Sequence, residues 1–343
     1  MTCLPMLLAV ALNGGTAVTA ELTDQPPLYH PPGMWCWDFW FAKQSDAYHA
    51  FYLEAPFCLG DPQRMHGNQH VGHATSPDLI HWTNQGPAAV PILGTWNDLS
   101  IATGSVVAHG GKWWMLYTGR GSKVSGLGLA VSDDLMAWRK VGDGPVVLLG
   151  KPFPGEWDGK PLQWVGLADP YLYPEPVDGW YYLVLNSQVV GEPISTSGCL
   201  TTMRSHDLQT WEPHSVLAFP RLFERLETPQ LWHHGNRWYL YFGGAHDHGV
   251  PERFLAEVPE EVKQLKSRGN YVFTADSFEG PYAPTGKWWL TMPDGQWGYI
   301  AKVLTGPDGH DVLMVTTGGS KLSRPYPVTY AADGSLVLGM PGE

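Results

Sequence analysis

The chain has 343 residues, of which 43% are hydrophobic and only 16% charged, with a net charge of −12 at pH 7. No run of lysine or arginine offers the basic face that a nucleic acid or an anionic bilayer requires, so neither is expected as a partner. Forty glycines, 30 prolines, 17 tryptophans and 15 tyrosines point to many turns and aromatic strands rather than long solvated helices.

Residues 1–33 read as an N-terminal segment. Leu4 to Leu12 is a short apolar run followed by small residues at Ala17 to Ala20, the pattern of a signal peptide over residues 1–20. No Lys or Arg precedes it, and the run is too short to cross a bilayer. Secretion is the expectation, with a cytoplasmic location as the alternative. The four cysteines (Cys3, Cys36, Cys58 and Cys199) show neither zinc spacing nor a disulfide framework, so no metal is expected.

From residue 34 to 343 two elements alternate. The first is a strand, a tight polar turn and an aromatic strand. It spans Asp38 to Leu53, Thr103 to Gly119, Ala168 to Ser187, Glu227 to Gly244 and Trp297 to Gly319. The turns HGGK, HHGNR and GPDGHD carry the residues that tight hairpins need. The second element is Ser-x-Asp-Leu-x-x-Trp. It occurs at His73 to Trp82, Leu129 to Trp138 and Met203 to Trp211, with a looser copy at Ala275 to Tyr282. Its Asp suits a turn cap and its Trp suits packing between repeats, so Asp78, Asp134 and Asp207 are read as structural. A helix is predicted over Pro259 to Gly269, as an insertion in the fourth repeat. Five such units, each a four-stranded sheet arranged radially, predict an all-β, five-bladed β-propeller. One domain is expected, without a C-terminal β-sandwich.

The inner strand of each blade lines the central channel, so residues opening those strands converge at one mouth. The openings are Asp38, Thr103, Asp169, Glu227 and Trp297. Three are carboxylates in apolar surroundings, WCWDFW, GLADPYLY and RLETPQLW. Burying a lone carboxylate is costly, so three at equivalent places suggest a shared site. Glycoside cleavage needs two carboxyl groups flanking the bond, one of them protonated. A third can hold hydroxyls and stabilise developing positive charge.

On these residues the chain resembles the five-bladed propeller glycosidases of the invertase/levanase type (family 32) and their levansucrase-like relatives. VGHATSPDLIHW (Val71 to Trp82) and WNDLSIATGS (Trp96 to Ser105) are similar to that group's first-blade and Ser-Gly-Ser elements. The resemblance implies Asp38 as nucleophile, Asp169 as transition-state stabiliser and Glu227, in Glu-Thr-Pro, as acid/base. It implies a retaining furanosidase acting on β-fructosides, with a small glycoside or oligosaccharide as substrate and no cofactor. Two motifs depart from the family. Asn-Asp-Pro-Asn-Gly is absent around Asp38, and Ala168 stands where the family has an arginine that holds fructose hydroxyls. Family 43 enzymes share the propeller and an Asp/Asp/Glu set.

Trp35, Trp37, Trp40 and Trp96 flank the openings and are candidate sugar platforms, with packing as the rival role. Thr103 is a candidate substrate contact. Arg225, or else Arg204, is a candidate replacement for the missing guanidinium. His246 and His248 are a weak metal pair, and His66, His70 and His73 are loop or hydrogen-bonding residues. An inverting arabinofuranosidase or xylosidase, a fructosyltransferase and a non-catalytic sugar-binding propeller remain as alternatives.

Overall fold

The computed structural model describes residues 28–149, 152–164, 169–263, 268–318 and 320–342. The expected signal peptide lies outside them, as does Ala168. The described residues form five antiparallel sheets. Blade 1 comprises Met34–Gln44, Ala47–Pro56, His70–Ser76 and Thr83–Ala89, in chain order from the axis outwards. Blade 2 runs from Ser100–His109 through Lys112–Arg120 and Ser125–Ser132 to Arg139–Val141. Blade 4 is Arg225–His234, Arg237–Ala245, Arg268–Ala275 and Ala283–Leu290. Blade 5 starts with Gly298–Thr305 and Asp311–Thr317.

Blade 3 departs from this plan. Its inner strand is only Tyr171–Leu172, and a hairpin of Pro152–Trp157 and Lys160–Trp164 takes over the rest of that edge by pairing with Tyr181–Val189. No strand is predicted over this segment from the sequence, and its prolines and glycines disfavour regular pairing.

The second strands are buried along nearly their whole length, as in Ala47–Pro56 and Tyr181–Val189. A sheet covered on both faces buries every side chain, so polar–apolar alternation disappears. The covering comes from neighbouring blades. Phe51 and Leu53 of blade 1 share a core with Met115 and Tyr117 of blade 2. Leu116 and Leu127 meet Leu183 and Leu185 of blade 3. Val184 and Leu200 meet Leu240 and Phe242 of blade 4. Tyr239 and Tyr241 meet Val303 and Leu313 of blade 5. Leu304 and Met314 meet Tyr48 and Tyr52 of blade 1, which closes the ring. The closure is reinforced by a backbone bridge between Tyr29 and Leu322 and by the Cys36 thiol donating to the Ser320 carbonyl at 3.0 Å.

The Ser-x-Asp-Leu-x-x-Trp element is a turn with a fixed hydrogen-bond plan. Each Asp accepts two backbone N–H groups, Asp207 from Gln209 (2.9 Å) and Thr210 (2.7 Å). Asp78 and Asp134 do the same for their own turns. The Leu takes a left-handed conformation (φ 65°, 63° and 62° at Leu79, Leu135 and Leu208) and is fully buried in all three copies. Its carbonyl accepts the indole N–H of the Trp three residues on, at 3.0–3.1 Å. In the looser copy Tyr282 replaces the Trp and donates its hydroxyl to the Phe278 carbonyl. Asp207→Ala is therefore expected to cost about 1 kcal/mol, by loss of a turn cap. Denaturant melts should show that loss while turnover stays at the wild-type level.

The predicted helix is shorter than expected. Two short helices, Glu252–Glu257 and Glu260–Lys263, are present, and the chain is already a blade 4 strand at Arg268. Pro259 separates the two helices because proline lacks the N–H that would continue the first.

Candidate active site

The inner strands share a defect at one level. Their pairing slips between Trp37 and Trp40, Ala102 and Gly104, Glu227 and Gln230, and Tyr299 and Ala301. Asp38 (φ 51°), Thr228 (φ 44°) and Ile300 (φ 60°) lie in these bulges, and Asp169 (φ 44°) stands just before the short inner strand of blade 3. Positive φ at such residues is strained and is held only by surrounding structure. A bulge re-aims side chains, and here it aims several at one place. Gly104 is required in blade 2, because a Cβ there would lie 2.5 Å from the Leu116 carbonyl oxygen.

The expected equivalence of the five openings needs correction in two blades. The bulged residue of blade 4 is Thr228, with Glu227 preceding it. In blade 5 the bulge is at Ile300, while Trp297 is 45% exposed, outside the inner strand.

The three carboxylates come together. Asp38 accepts a hydrogen bond from the Thr103 hydroxyl at 3.0 Å. Burial, then the charge of Glu227, pushes the Asp38 carboxyl up to about 7; the Thr103 bond and the charges of Lys302 and Arg268 oppose this. Asp169 is 5% exposed and accepts the Thr228 N–H at 3.3 Å. Burial, then the charges of Glu227 and Asp38, holds it well above the usual carboxylate range. One Glu227 oxygen, Oε2, accepts from Arg268 (3.0 Å) and from the Tyr299 hydroxyl (2.5 Å). The other, Oε1, faces Arg225 Nε at 3.4 Å. Asp247 pairs with both arginines and offsets their charge.

Below this level the inner strands enclose a cavity of about 690 Å³, lined at its upper end by Thr103, Asp169, Thr228 and Lys302. Lys302 donates to the Thr228 and Pro229 carbonyls.

The tryptophan candidates divide. Trp40 is 4% exposed and stacked on Phe51. It is a core residue, and its candidacy as a sugar platform is corrected by that burial. Trp37 is 8% exposed and edge-on to His66. Trp35 is half-buried against Phe57. Trp96 is half-buried and lies nearly parallel to Tyr117. Arg225 reaches Glu227, whereas Arg204 lies on the outer part of blade 3, bonded to Glu212 and stacked over Trp180. The alternative guanidinium at Arg204 is thereby corrected. His246 is buried between Phe223 and Phe254, while His248 bonds Glu224, so the two imidazoles serve different neighbours. His70 pairs with Glu54, and His73 bonds His49.

Three site residues escape the sequence reading: Arg268, Tyr299 and Lys302. Arg268 hides at the end of a helix-like string. Lys302 carries a signal, since a lysine between Ala301 and Val303 on an inner strand is a charge in an apolar setting.

Known proteins extend this picture. The profile of the Glycosyl hydrolases family 32 N-terminal domain matches residues 31–231. Sucrose-6-phosphate hydrolase of Escherichia coli is 30% identical over 235 residues, 63% of this chain and 43% of that protein. The chain thus spans less than half the length of that relative. Among solved structures, inulosucrase from Halalkalicoccus jeotgali bound to kestose superposes with a TM-score of 0.69 at 20% identity, covering 93% of this chain and 91% of that one. Sucrose-6-phosphate hydrolase from Lactobacillus gasseri gives 0.69 at 21% identity, over 92% and 62%. At such identities the structural likeness carries the fold. The profile match covers more than half of the chain and takes in Asp38, Asp169 and Glu227, and with it the chain belongs to glycosyl hydrolase family 32.

Proposed function

We propose that this protein is a retaining glycosidase that cleaves β-fructosides. The observation that carries this reading is the convergence of Asp38, Asp169 and Glu227 on one bulge level, with each carboxyl in a different environment. Different environments are what allow like groups to take different roles. Curated relatives named sucrose-6-phosphate hydrolase and raffinose invertase support fructoside chemistry.

In the proposed reaction the Asp38 carboxylate attacks the anomeric carbon, and the bond to the leaving oxygen breaks. Glu227 gives its proton to that oxygen, and Asp38 becomes a glycosyl ester. Water then adds to the anomeric carbon, Glu227 takes a proton from it, and the ester bond returns its electron pair to Asp38. Because Oε2 of Glu227 is occupied by Arg268 and Tyr299, Oε1 is the oxygen suited to carry the proton. Asp169, buried beside the pair, would hold sugar hydroxyls and stabilise the oxocarbenium-like transition state.

Incubation with sucrose, inulin, and aryl fructoside, arabinoside and galactofuranoside tests this. Fructose should be released first as the β-anomer, read by proton NMR. Release from the arabinoside alone, with inversion, would favour the family 43 type of reaction instead. Transfer products from sucrose without free fructose would indicate a fructosyltransferase. The ionised form of Asp38 is the attacking one, so kcat/KM of the free enzyme is expected to rise as pH increases through about 7. An acid limb near the ordinary carboxylate value would show that the Asp38 carboxyl is not displaced by burial and the charge of Glu227.

A further inference from the structure

Lys302 lies on the inner strand of blade 5, two residues past the bulged Ile300. At 7% exposed, it is the only lysine or arginine among the described residues that is buried. Its ammonium donates to the carbonyls of Thr228 (2.6 Å) and Pro229 (3.0 Å). Those are the two residues that bulge between Glu227 and Gln230. The same turn of backbone presents the Thr228 N–H to Asp169. One side chain therefore fixes the backbone that carries Glu227 and supplies a contact to Asp169.

Pinning two carbonyls does not require a charge; a neutral amide would serve. A buried ammonium is costly unless an anion compensates it. The compensation comes from Asp38 and Asp169, whose charges favour the protonated lysine, while burial depresses it to about 7. The other groups bearing on this pair are Thr103 from blade 2, Tyr171 from blade 3, whose ring centroid lies 5.8 Å from the ammonium, Glu227 from the blade 4 inner strand and Arg268 from its third strand. Arg268 is spoken for by Glu227 and Asp247. Lys302 thus lines the cavity together with Asp169 and with Thr103, the partner of Asp38, and its charge bears on both acids.

We propose that Lys302 is a positioning residue for the reaction: it holds the bulge that aims Glu227, and its ammonium is the counter-charge for the attacking Asp38 carboxylate. The charge stays useful after the first step. When Asp38 becomes an ester its negative charge is consumed, which removes one of the charges that raise Asp169 and leaves Asp169 as the acid facing the ammonium. The contact of Lys302 with the Thr228 and Pro229 carbonyls stands on geometry alone, and its link to Asp38 adds the mutual attraction of the two charges. The role in attack rests on the proposed glycosidase reaction.

Two variants separate the roles. Lys302→Gln removes the charge but keeps an N–H donor for the bulge; Lys302→Met removes both. A carbon-13 NMR titration of the Asp38 carboxyl, assigned by its loss in Asp38→Asn, reads the charge effect without substrate. The Asp38 midpoint should move up by about one pH unit or more in both variants. The acid limb of kcat/KM should move with it, so that activity at pH 6 falls about tenfold or more. Melting temperature should fall in Lys302→Met and stay near wild type in Lys302→Gln.

A reciprocal measurement keeps Lys302 in place. In Asp38→Asn the Lys302 ammonium loses a counter-charge, so its own midpoint should fall, because the coupling between two sites is mutual. An Asp38 midpoint unchanged in Lys302→Gln, or a Lys302 midpoint unchanged in Asp38→Asn, overturns the inference. If both midpoints shift but the wild type cleaves no fructoside, the coupling stands and the proposed reaction falls.

Discussion

Asp38→Asn is expected to lower kcat on β-fructosides by about 10⁴-fold or more, as removal of a covalent nucleophile does, and at the same time to raise the melting temperature at pH 8. The two effects share a cause. Asp38 is held in a strained bulge, half-buried beside Glu227, with its carboxyl pushed from 3.8 up to about 7. Between those pH values the folded protein binds a proton at Asp38 that the unfolded chain does not. Stability from this group is therefore lost as pH rises from about 4 to 7, and the full penalty is present at pH 8. A displacement of that size corresponds to roughly 4 kcal/mol at most. The asparagine carries no charge and can still accept the Thr103 hydroxyl. Part of the gain is returned because Lys302 loses a counter-charge. The melting temperature should rise by a few degrees at pH 8 and by little or nothing at pH 4. Turnover above about 1% of wild type would remove Asp38 from the reaction. An equal rise at both pH values would show that the carboxyl is not titrating as described.

The fold is legible in this sequence because its repeats are local. Ser-x-Asp-Leu-x-x-Trp is a complete turn in which the Asp caps, the Leu adopts a left-handed backbone and the Trp bonds the Leu carbonyl. Each copy needs only its own residues, so the pattern survives in the text of the chain. The hairpin at Pro152–Trp164 is illegible for the opposite reason, since its pairing depends on Tyr181–Val189, far along the chain. Within the site, Asp38 and Asp169 stand out because each is an acid in an aromatic or apolar string. Glu227 stands out likewise, but its place relative to the bulge does not, because the slip of register comes from pairing with Arg237–Ala245. Lys302, Arg268 and Tyr299 reach the site from strands whose spacing in sequence bears no relation to their spacing around the axis. Trp40 was a fair candidate by adjacency to Asp38, yet alternation along a bulged strand turned it towards Phe51 instead.

Glu227→Gln is expected to lower kcat about 10³-fold on sucrose, whose leaving oxygen needs a proton. An aryl fructoside with an acidic phenol should lose far less in the first step, because its leaving group departs unprotonated. The glycosyl ester at Asp38 then waits for a base that is missing, so a burst of phenol should precede a slow steady state. The geometry favours this variant as a clean test. The Gln carbonyl can take over the bonds from Arg268 and Tyr299, at the cost of setting an amide donor against the Arg225 Nε–H, where Oε1 stood at 3.4 Å. Arg225 and Arg268 both retain Asp247 as a partner, so the cluster keeps a counter-charge and the fold should survive. Glu227→Ala opens space beside the ester, and azide, which needs no base, should enter and restore turnover as a fructosyl azide of retained configuration. Equal losses on sucrose and aryl fructoside, with no rescue by azide, would mean that Glu227 moves no proton. Its contacts with Arg225, Arg268 and Tyr299 would then be structural, and the proton donor would have to be sought at Asp169, whose carboxyl burial holds well above its ordinary range.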